Sequence, residues 1–346
     1  MGFSEPLIRL FKSYLTNRQQ YVVYRGSTSK KFTCTSGVPQ GSNLGPLLFL
    51  LFINDITNLI KYSKVLLYAD DLKLFKQIRG VNDVQLLQKD IDTLANWSQM
   101  NNLAFNVGKC CSVTYTRKIF PIHSVYTINN HMLTKYDEIK DLGVILDSKL
   151  TFKNHVNFIV NKSRMMLGFL MRNSVNFTDI QTIQTLYYAL VRSHLEYASV
   201  VWNPIVVEAV KSIEKVQKRF LRYLYHKQFS YYTYTITYKE LLQGYEIKSL
   251  KGRRDISSLI FLHDIIQYKK RDSTLLEKIT IHIPSFNSRS TDLFALSHSR
   301  TLLFSNAPVN RVLKLYNETS KKDKELDVLD AVNRARFRQR VFKMFE

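Results

Sequence analysis

Two adjacent carboxylates, Asp70 and Asp71, are the residues of this chain best suited to do chemistry. They end the pentapeptide Leu67-Tyr68-Ala69-Asp70-Asp71. Neighbouring carboxylates repel one another unless a cation neutralises them, and hard oxygen donors of this kind suit Mg²⁺. Two such ions held ~4 Å apart clamp the attacking and leaving oxygens of a phosphoryl transfer. The element that must carry the pair is legible in its flanks. Val65, Leu66 and Leu67 lead in, and Leu72, Leu74 and Phe75 lead out, which is the pattern of a β-hairpin with the acids at its tip. By itself the tetrapeptide is weak, because an ordinary solvated turn reads the same way.

The segment upstream narrows the choice. Ser36-Gly37-Val38-Pro39-Gln40-Gly41-Ser42 holds two glycines and a proline, the composition of a shaped loop. Gly37 and Gly41 allow backbone conformations, or a close approach to a ligand, that a Cβ would block. The run from Leu44 to Ile56 is apolar nearly all round, so it is expected to be a buried helix with Pro46 near its start. It is too short to span a membrane. A loop before a core helix is commonplace, but here loop, helix and acidic hairpin follow in order within residues 36–71.

This combination resembles the reverse transcriptases of non-LTR (LINE-like) retrotransposons. Further segments are similar in the expected order. Trp97, Asn101-Asn102-Leu103 and Asn106-Val107-Gly108-Lys109-Cys110 look like that family's next motif. Asp141-Leu142-Gly143-Val144-Ile145-Leu146-Asp147 and Leu150-Thr151-Phe152 look like the strand pair that grips the primer end. Weaker likenesses continue at Arg289-Ser290, Pro308-Val309-Asn310, Leu315-Tyr316-Asn317 and Phe337-Arg338.

The resemblance implies RNA-directed DNA polymerisation, with an RNA template, a DNA primer and dNTPs as partners and Mg²⁺ (or Mn²⁺) as cofactor. Asp70 and Asp71 would be metal-binding and catalytic. Lys109 would stand near the leaving phosphate as an acid. Gly37, Gln40, Gly41, Tyr68 and Ala69 would contact substrate, with Gly37 and Gln40 at the templating base pair and Ala69 near the primer end. Leu142 and Gly143 would belong to the primer contact. The implied fold is α+β: a partial right-hand polymerase palm over 1–150, a helical thumb-like domain over 151–270, and a C-terminal region with a loop and short helices over 271–346.

The family's third catalytic carboxylate lies on a strand upstream of the helix that here reads Ser4 to Phe11, and Met1 falls just before that helix. First catalytic strand and fingers are therefore expected to be missing, and the isolated chain is expected to be inactive or very weak. Two other readings stay open: a non-catalytic nucleic-acid-binding remnant, and a truncated transposon copy without function.

Composition agrees. The 346 residues carry a formal charge of +22, with 45% hydrophobic residues, the balance of a folded protein with a polyanionic partner. Residues 1–150 hold 18 Lys/Arg against 11 Asp/Glu and the remainder 32 against 17, so the excess lies largely beyond the palm-like region. Part of it falls on a stretch through Val210, Ile213, Val216, Phe220 and Leu224, whose other face carries Lys211, Lys215, Lys218, Arg219 and Arg222. Such a helix is suited to tracking a phosphate backbone, although a solvated helix face reads alike. Cys34, Cys110 and Cys111 exclude a disulfide framework and a zinc finger and suit a reducing compartment. No signal peptide or 18-residue apolar window is present, so an intracellular protein, nuclear or cytoplasmic, is expected.

The organisation follows from periodicity. A hairpin joins Tyr21–Tyr24 to Phe32–Cys34 with its turn near Gly26-Ser27. An amphipathic helix presents Val84, Leu87, Ile91, Leu94 and Trp97, and strands follow at 113–115 and 126–128 with a turn at Asn129-Asn130. Helices then present Val156, Ile159, Val160, Leu167 and Leu170, and next Ile183, Leu186, Leu190 and His194. The tyrosines 223, 225, 231, 232, 234 and 238 are expected to pack rather than stack on bases. Residues 285–305 are expected to be a loop, 321–325 a solvated turn, and Lys251-Gly252-Arg253-Arg254 helix surface or an import signal. No histidine has the spacing of a metal ligand.

Overall fold

A computed structural model describes residues 2–231, 235–267, 272–283, 292–323, 325–329 and 334–345. They form two compact units, Met1–Tyr136 and Asp137–Glu346.

The first unit opens with helix α1 (Glu5–Leu15) and two nested ladders. β1 (Gln19–Gln20) pairs with β4 (Phe32–Thr33), and inside them β2 (Val23–Tyr24) pairs with β3 (Ser27–Thr28). A hairpin is present, but Phe32–Thr33 pairs with Gln19–Gln20 rather than with Tyr21–Tyr24, and the turn lies at Arg25-Gly26, both at positive φ. Then come α2 (Gly45–Ile53), a 3₁₀ segment at Asn54–Leu59, β5 (Lys64–Tyr68), β6 (Asp71–Phe75) and α3 (Val81–Met100). β7 (Cys111–Val113), β8 (Thr127–Ile128), β9 (His131–Met132) and β10 (Thr134–Tyr136) close the unit. β7 begins two residues before the expected strand and runs parallel to β10. Asn129 and Asn130 turn between β8 and β9 at φ 48° and 63°, the left-handed pair that a two-residue hairpin turn demands.

Helix α3 organises this unit because its apolar residues fall on two sides. Leu87, Ile91 and Ala95 pack with Tyr126 and Ile128, while Leu94 and Trp97 pack with Ile53, Ile56 and the partly buried Phe49, Leu67 and Leu72. Each such large side chain contributes roughly 2 kcal/mol when fully buried. One expectation is corrected here: α2 is not buried all round. Gly45, Leu48 and Ile53 are buried, but Leu47, Leu50 and Phe52 are 46–48% exposed. The physical reason is coverage: every sheet among the described residues has two strands, too little to wrap a helix that is apolar on all sides.

The second unit begins with the hairpin of β11 (Glu138–Asp141) and β12 (Val144–Asp147). It continues through α4 (Lys153–Asn173), α5 (Ile180–Tyr187), a π turn at Tyr188–Arg192, α6 (Ser193–Glu196), α7 (Ser199–Trp202), α8 (Val207–Phe229) and α9 (Tyr238–Gly244). These share one core with Val156, Leu167, Tyr187, Trp202, Phe220 and Leu224 at its centre. A second core joins α10 (Leu250–Ile266) to α13 (Pro308–Ser320) and α14 (Arg334–Met344), with the short α11 (Ser273–Leu276) and α12 (Leu302–Ser305) between them in sequence. No helix among the described residues is long and apolar enough to cross a membrane.

Several expectations change in this unit. The residues buried after Ile183 are Tyr187, Val191 and Leu195, not Leu186, Leu190 and His194. The π turn inserts an extra residue, so the core face advances in steps of four. Of Lys251–Arg254 only Lys251 is exposed helix surface: Gly252 and Arg254 are buried, and Arg253 is paired with Glu196. Phe294, inside the expected loop 285–305, is 1% exposed and packs on Tyr316. Residues 284–291, including Arg289-Ser290, lie outside the described residues, as do Tyr232, Tyr234 and Lys324. Of the described tyrosines, Tyr223, Tyr225 and Tyr238 pack against the core, with Tyr223 meeting Ser174 and Tyr238 donating to Glu214, whereas Tyr231 is exposed and meets Tyr225.

Candidate nucleotidyl-transfer site

The acidic pair stands on the tightest possible hairpin. Tyr68 pairs with Asp71, leaving Ala69 and Asp70 as a two-residue turn. Ala69 takes φ 51°, where an L-residue with a Cβ is strained by about 1–2 kcal/mol. The strained residue sits beside the acids, as at sites where geometry is over-determined by its surroundings. Asp70 and Asp71 are both exposed, and neither makes an ion pair or hydrogen bond among the described residues. Two unpartnered carboxylates on consecutive residues fit a hard divalent cation by donor chemistry. They do not fill its sphere, because no group of three His, Cys, Asp or Glu side chains able to hold a metal occurs among the described residues.

The base of the hairpin is anchored by residues that the sequence reading missed. Asp90 of α3 is 1% exposed, and its carboxylate accepts from the backbone N–H groups of Lys61 and Tyr62 at 3.2 and 3.0 Å. Lys76, just past β6, donates to the Tyr62 carbonyl at 2.9 Å. Leu67 and Leu72 join the core formed by α2 and α3, which fixes the hairpin's inner face. Asp90 did have a signal: it is a carboxylate on the buried face of α3, between Leu87 and Leu94.

The glycine-rich loop behaves as its composition suggests. Gly37 and Gly41 take φ 76° and 78°. The Ser42 hydroxyl donates to the Pro39 carbonyl at 2.7 Å and accepts from Gly45 N–H at 3.0 Å, closing the loop onto the start of α2. A Cβ on Gly45 would meet both oxygens at 3.0 Å. Arg18 clamps the far end: its guanidinium donates to the carbonyls of Gly37 at 2.6 Å and Ser36 at 3.3 Å. Gln40 is exposed at the bend, and α2 shares one core with the hairpin through Phe49, Leu67 and Leu72. Lys109 is exposed on the 3₁₀ turn Val107–Lys109 after α3, and it makes no side-chain contact with Asp70 or Asp71.

The remaining site residues belong to the second unit. Leu142 and Gly143 form the turn between β11 and β12, at φ 42° and 86°. Asp147 ends β12 and accepts from the N–H groups of Lys149, Thr151 and Phe152 and from the Thr151 hydroxyl. Partial burial pushes its carboxyl up, but these donors outweigh it and hold it below the usual range. His155 of α4 is 1% exposed, and its Nδ1 accepts from Ile145 N–H at 3.2 Å. Burial drives its pKa down to about 4, so the imidazole is neutral. On α8, Lys215 and Arg219 are exposed, Lys218 and Arg222 half-buried, and none of the four has a carboxylate partner among the described residues.

Residues 2–146 match the family described as "Reverse transcriptase (RNA-dependent DNA polymerase)". The chain is 32% identical, over 63% of its length, to the RNA-directed DNA polymerase from mobile element jockey of Drosophila funebris, covering 25% of that protein. It is 28% identical over 89% of its length to the probable RNA-directed DNA polymerase from transposon X-element of Drosophila melanogaster, covering 33% of it. The corresponding protein from transposon BS of the same species is 29% identical over 64% of the chain, with 26% of its own length covered. The chain thus spans a quarter to a third of the length of these curated relatives. No solved structure matches it. Through residues 2–146 the chain belongs to the reverse transcriptase family, on the branch of the LINE-like, non-LTR mobile elements.

Proposed function

We propose that this chain carries part of the nucleotidyl-transfer site of an RNA-directed DNA polymerase, and that it extends no primer by itself. One observation carries both halves of the reading. Asp70 and Asp71 stand exposed and unpartnered on a strained two-residue turn, and no third carboxylate joins them among the described residues. Bound there, Mg²⁺ or Mn²⁺ would neutralise the two charges and polarise the phosphate under attack. The chain's own residues do the rest. Asp70 and Asp71 hold the cation, with Tyr68 and Ala69 beside the primer end. Gly37, Gln40 and Gly41 present a smooth backbone surface to the templating base pair. Lys109 donates a proton to the departing phosphate. In right-hand terms, 1–150 is a partial palm, 151–270 a thumb whose Lys215, Lys218, Arg219 and Arg222 meet the template–primer duplex, and 271–346 a C-terminal helical region.

A two-ion site deprived of a shared ligand loses several kcal/mol of transition-state stabilisation, and each 1.36 kcal/mol is tenfold in rate. Primer extension on an RNA template is the test. The chain alone is expected to give no product above background with Mg²⁺. Fused behind the region that precedes the matching segment in the jockey polymerase, it is expected to extend the primer, and to lose that activity on Asp70→Ala or Asp71→Ala. Robust synthesis that survives Asp70→Ala would place the metal site elsewhere and end the assignment. A second reading, a nucleic-acid-binding chain without catalysis, is favoured by the unpaired α8 stripe, and it predicts duplex binding with no extension by the fusion.

A further inference from the structure

The turn at Leu142-Gly143 is held by an apparatus that a surface loop does not need. Leucine at φ 42° is strained and persists only where neighbours hold it. The neighbour is Tyr197. Its hydroxyl donates to the Leu142 carbonyl at 2.9 Å, and its ring lies 3.1 Å from where a Cβ on Gly143 would stand, a tight approach that, with φ 86°, favours glycine there. Tyr197 is no core filler, being 58% exposed.

Tyr197 is itself braced. Its carbonyl accepts from the indole N–H of Trp202 at 2.7 Å, and the next residue, Ala198, is also strained at φ 52°. Trp202 is fully buried and meets the edge of His155 at 5.1 Å, while His155 accepts from Ile145 N–H on β12. One tryptophan therefore supports both the turn and the strand that leaves it. What this framework offers to solvent is a half-exposed Leu142 beside an exposed aromatic ring, a surface suited to the face of a terminal base or sugar.

We propose that Tyr197, braced on Trp202, is the positioning residue that holds the Leu142-Gly143 turn in the conformation that seats the 3′ end of a nucleic-acid strand. This rests on the reading of that turn as a primer-end contact. Tyr197 sets where the strand end lies, whereas the α8 stripe sets how tightly the duplex is held.

The full chain, Tyr197→Phe and Tyr197→Leu are to be compared on an RNA–DNA duplex whose recessed DNA strand ends in a photoreactive 4-thiothymidine. Crosslinks are mapped to peptides, and duplex affinity is measured in parallel by fluorescence anisotropy. The wild-type chain is expected to crosslink the terminal nucleotide within 138–147. Tyr197→Phe, which keeps the ring, should lower that crosslink roughly fivefold, the worth of one hydrogen bond, with duplex affinity within about twofold. Tyr197→Leu should lower it further. Equal crosslinking by all three chains would overturn the role of Tyr197 while leaving the turn's role intact. A wild-type chain that never crosslinks within 138–147 would sink the primer-end reading and the proposal with it. Crosslink, duplex affinity and melting temperature falling together would reduce Tyr197 to a fold-stabilising residue and refute the proposal.

Discussion

Acidification from pH 7 to pH 5 is expected to weaken the second unit, and one buried imidazole, His155, carries a definable share of the loss. In the unfolded chain this histidine titrates near 6.5; folded, it is driven to about 4 by burial. Its Nδ1 is occupied by the Ile145 N–H, its Nε2 has no partner among the described residues, and Trp202 covers its edge. A second proton would charge a ring that nothing solvates. Between the two pKa values the unfolded chain binds a proton that the folded chain refuses, so stability is complete above about 6.5 and falls as the pH drops toward 4. The loss between pH 7 and pH 5 is about 2 kcal/mol, approaching roughly 3 kcal/mol below pH 4.

Other groups titrate nearby in pH. His194, lowered by partial burial and Lys162, and Asp147, held low, act in the same direction, Asp147 at more acid pH, and Asp255, pushed up by burial, acts in the opposite one. The informative quantity is therefore the difference from His155→Gln, which stays neutral while its amide oxygen can still accept from Ile145. That variant is expected to be less stable by about 1–2 kcal/mol at pH 7, the usual cost of a disturbed buried hydrogen bond, yet nearly flat down to pH 5. The two stabilities then converge as the pH falls. Hydrogen exchange of the α4 amides across a urea series at pH 5, 6 and 7 reads this unit directly. Parallel pH dependence in the two chains would show that the imidazole is not held neutral, and would undo the account of the brace around Trp202.

Four further outcomes are expected. Replacing Lys215, Lys218, Arg219 and Arg222 with Gln should flatten the salt dependence of duplex binding by up to about 0.9 per lost phosphate contact, whatever the sequence; an unchanged slope in log K against log salt rejects the thumb-like role. Asp90→Ala strands two backbone donors and should destabilise the first unit by about 2–3 kcal/mol, seen as a lower midpoint in urea. Ala69→Gly relieves the left-handed strain and should leave the hairpin as stable or up to about 1 kcal/mol more so; marked destabilisation by thermal melting would contradict the turn geometry. Leu47→Ser with Leu50→Ser should raise solubility, as judged by light scattering, without lowering the melting temperature.

The acidic hairpin was legible because it is entirely local: alternation gives the strands, and the turn falls where Tyr68 and Asp71 can pair. The glycine loop was legible for the same reason, since positive φ at Gly37 and Gly41 is a property of single residues. What escaped were contacts across sequence. Nothing near Arg18 announces that it will reach Gly37, and nothing near Tyr197 points to Leu142, 55 positions away. The core stripe after Ile183 was misread because a 3.6-residue period cannot anticipate a π turn. Helix α2 was misjudged for another reason. Its composition says that it wants burial all round, and composition cannot say whether enough partners are at hand.

Charge needs the same correction. The basic excess of the second half suggests a broad positive field, but part of it is spent inside the fold. Arg253 is paired with Glu196, and Arg340 with Asp323 and Glu325. Arg254 is 1% exposed and reaches Asn203 with its Nε, while its two terminal nitrogens find no hydrogen-bond partner among the described residues. Burial lowers the pKa of Arg254, and drives that of Arg311 down to about 10. A buried cation of this kind is weak support for stability and no support for binding a polyanion. Among the α8 cations with no carboxylate partner in the described residues, Lys215, Lys218, Arg219 and Arg222 fall on one face, the first and third exposed and the other two half-buried. Four contacts imply a salt slope near 3.6 in magnitude, far below what the net charge alone would suggest. A slope well above that value would mean that surfaces besides α8 engage the nucleic acid.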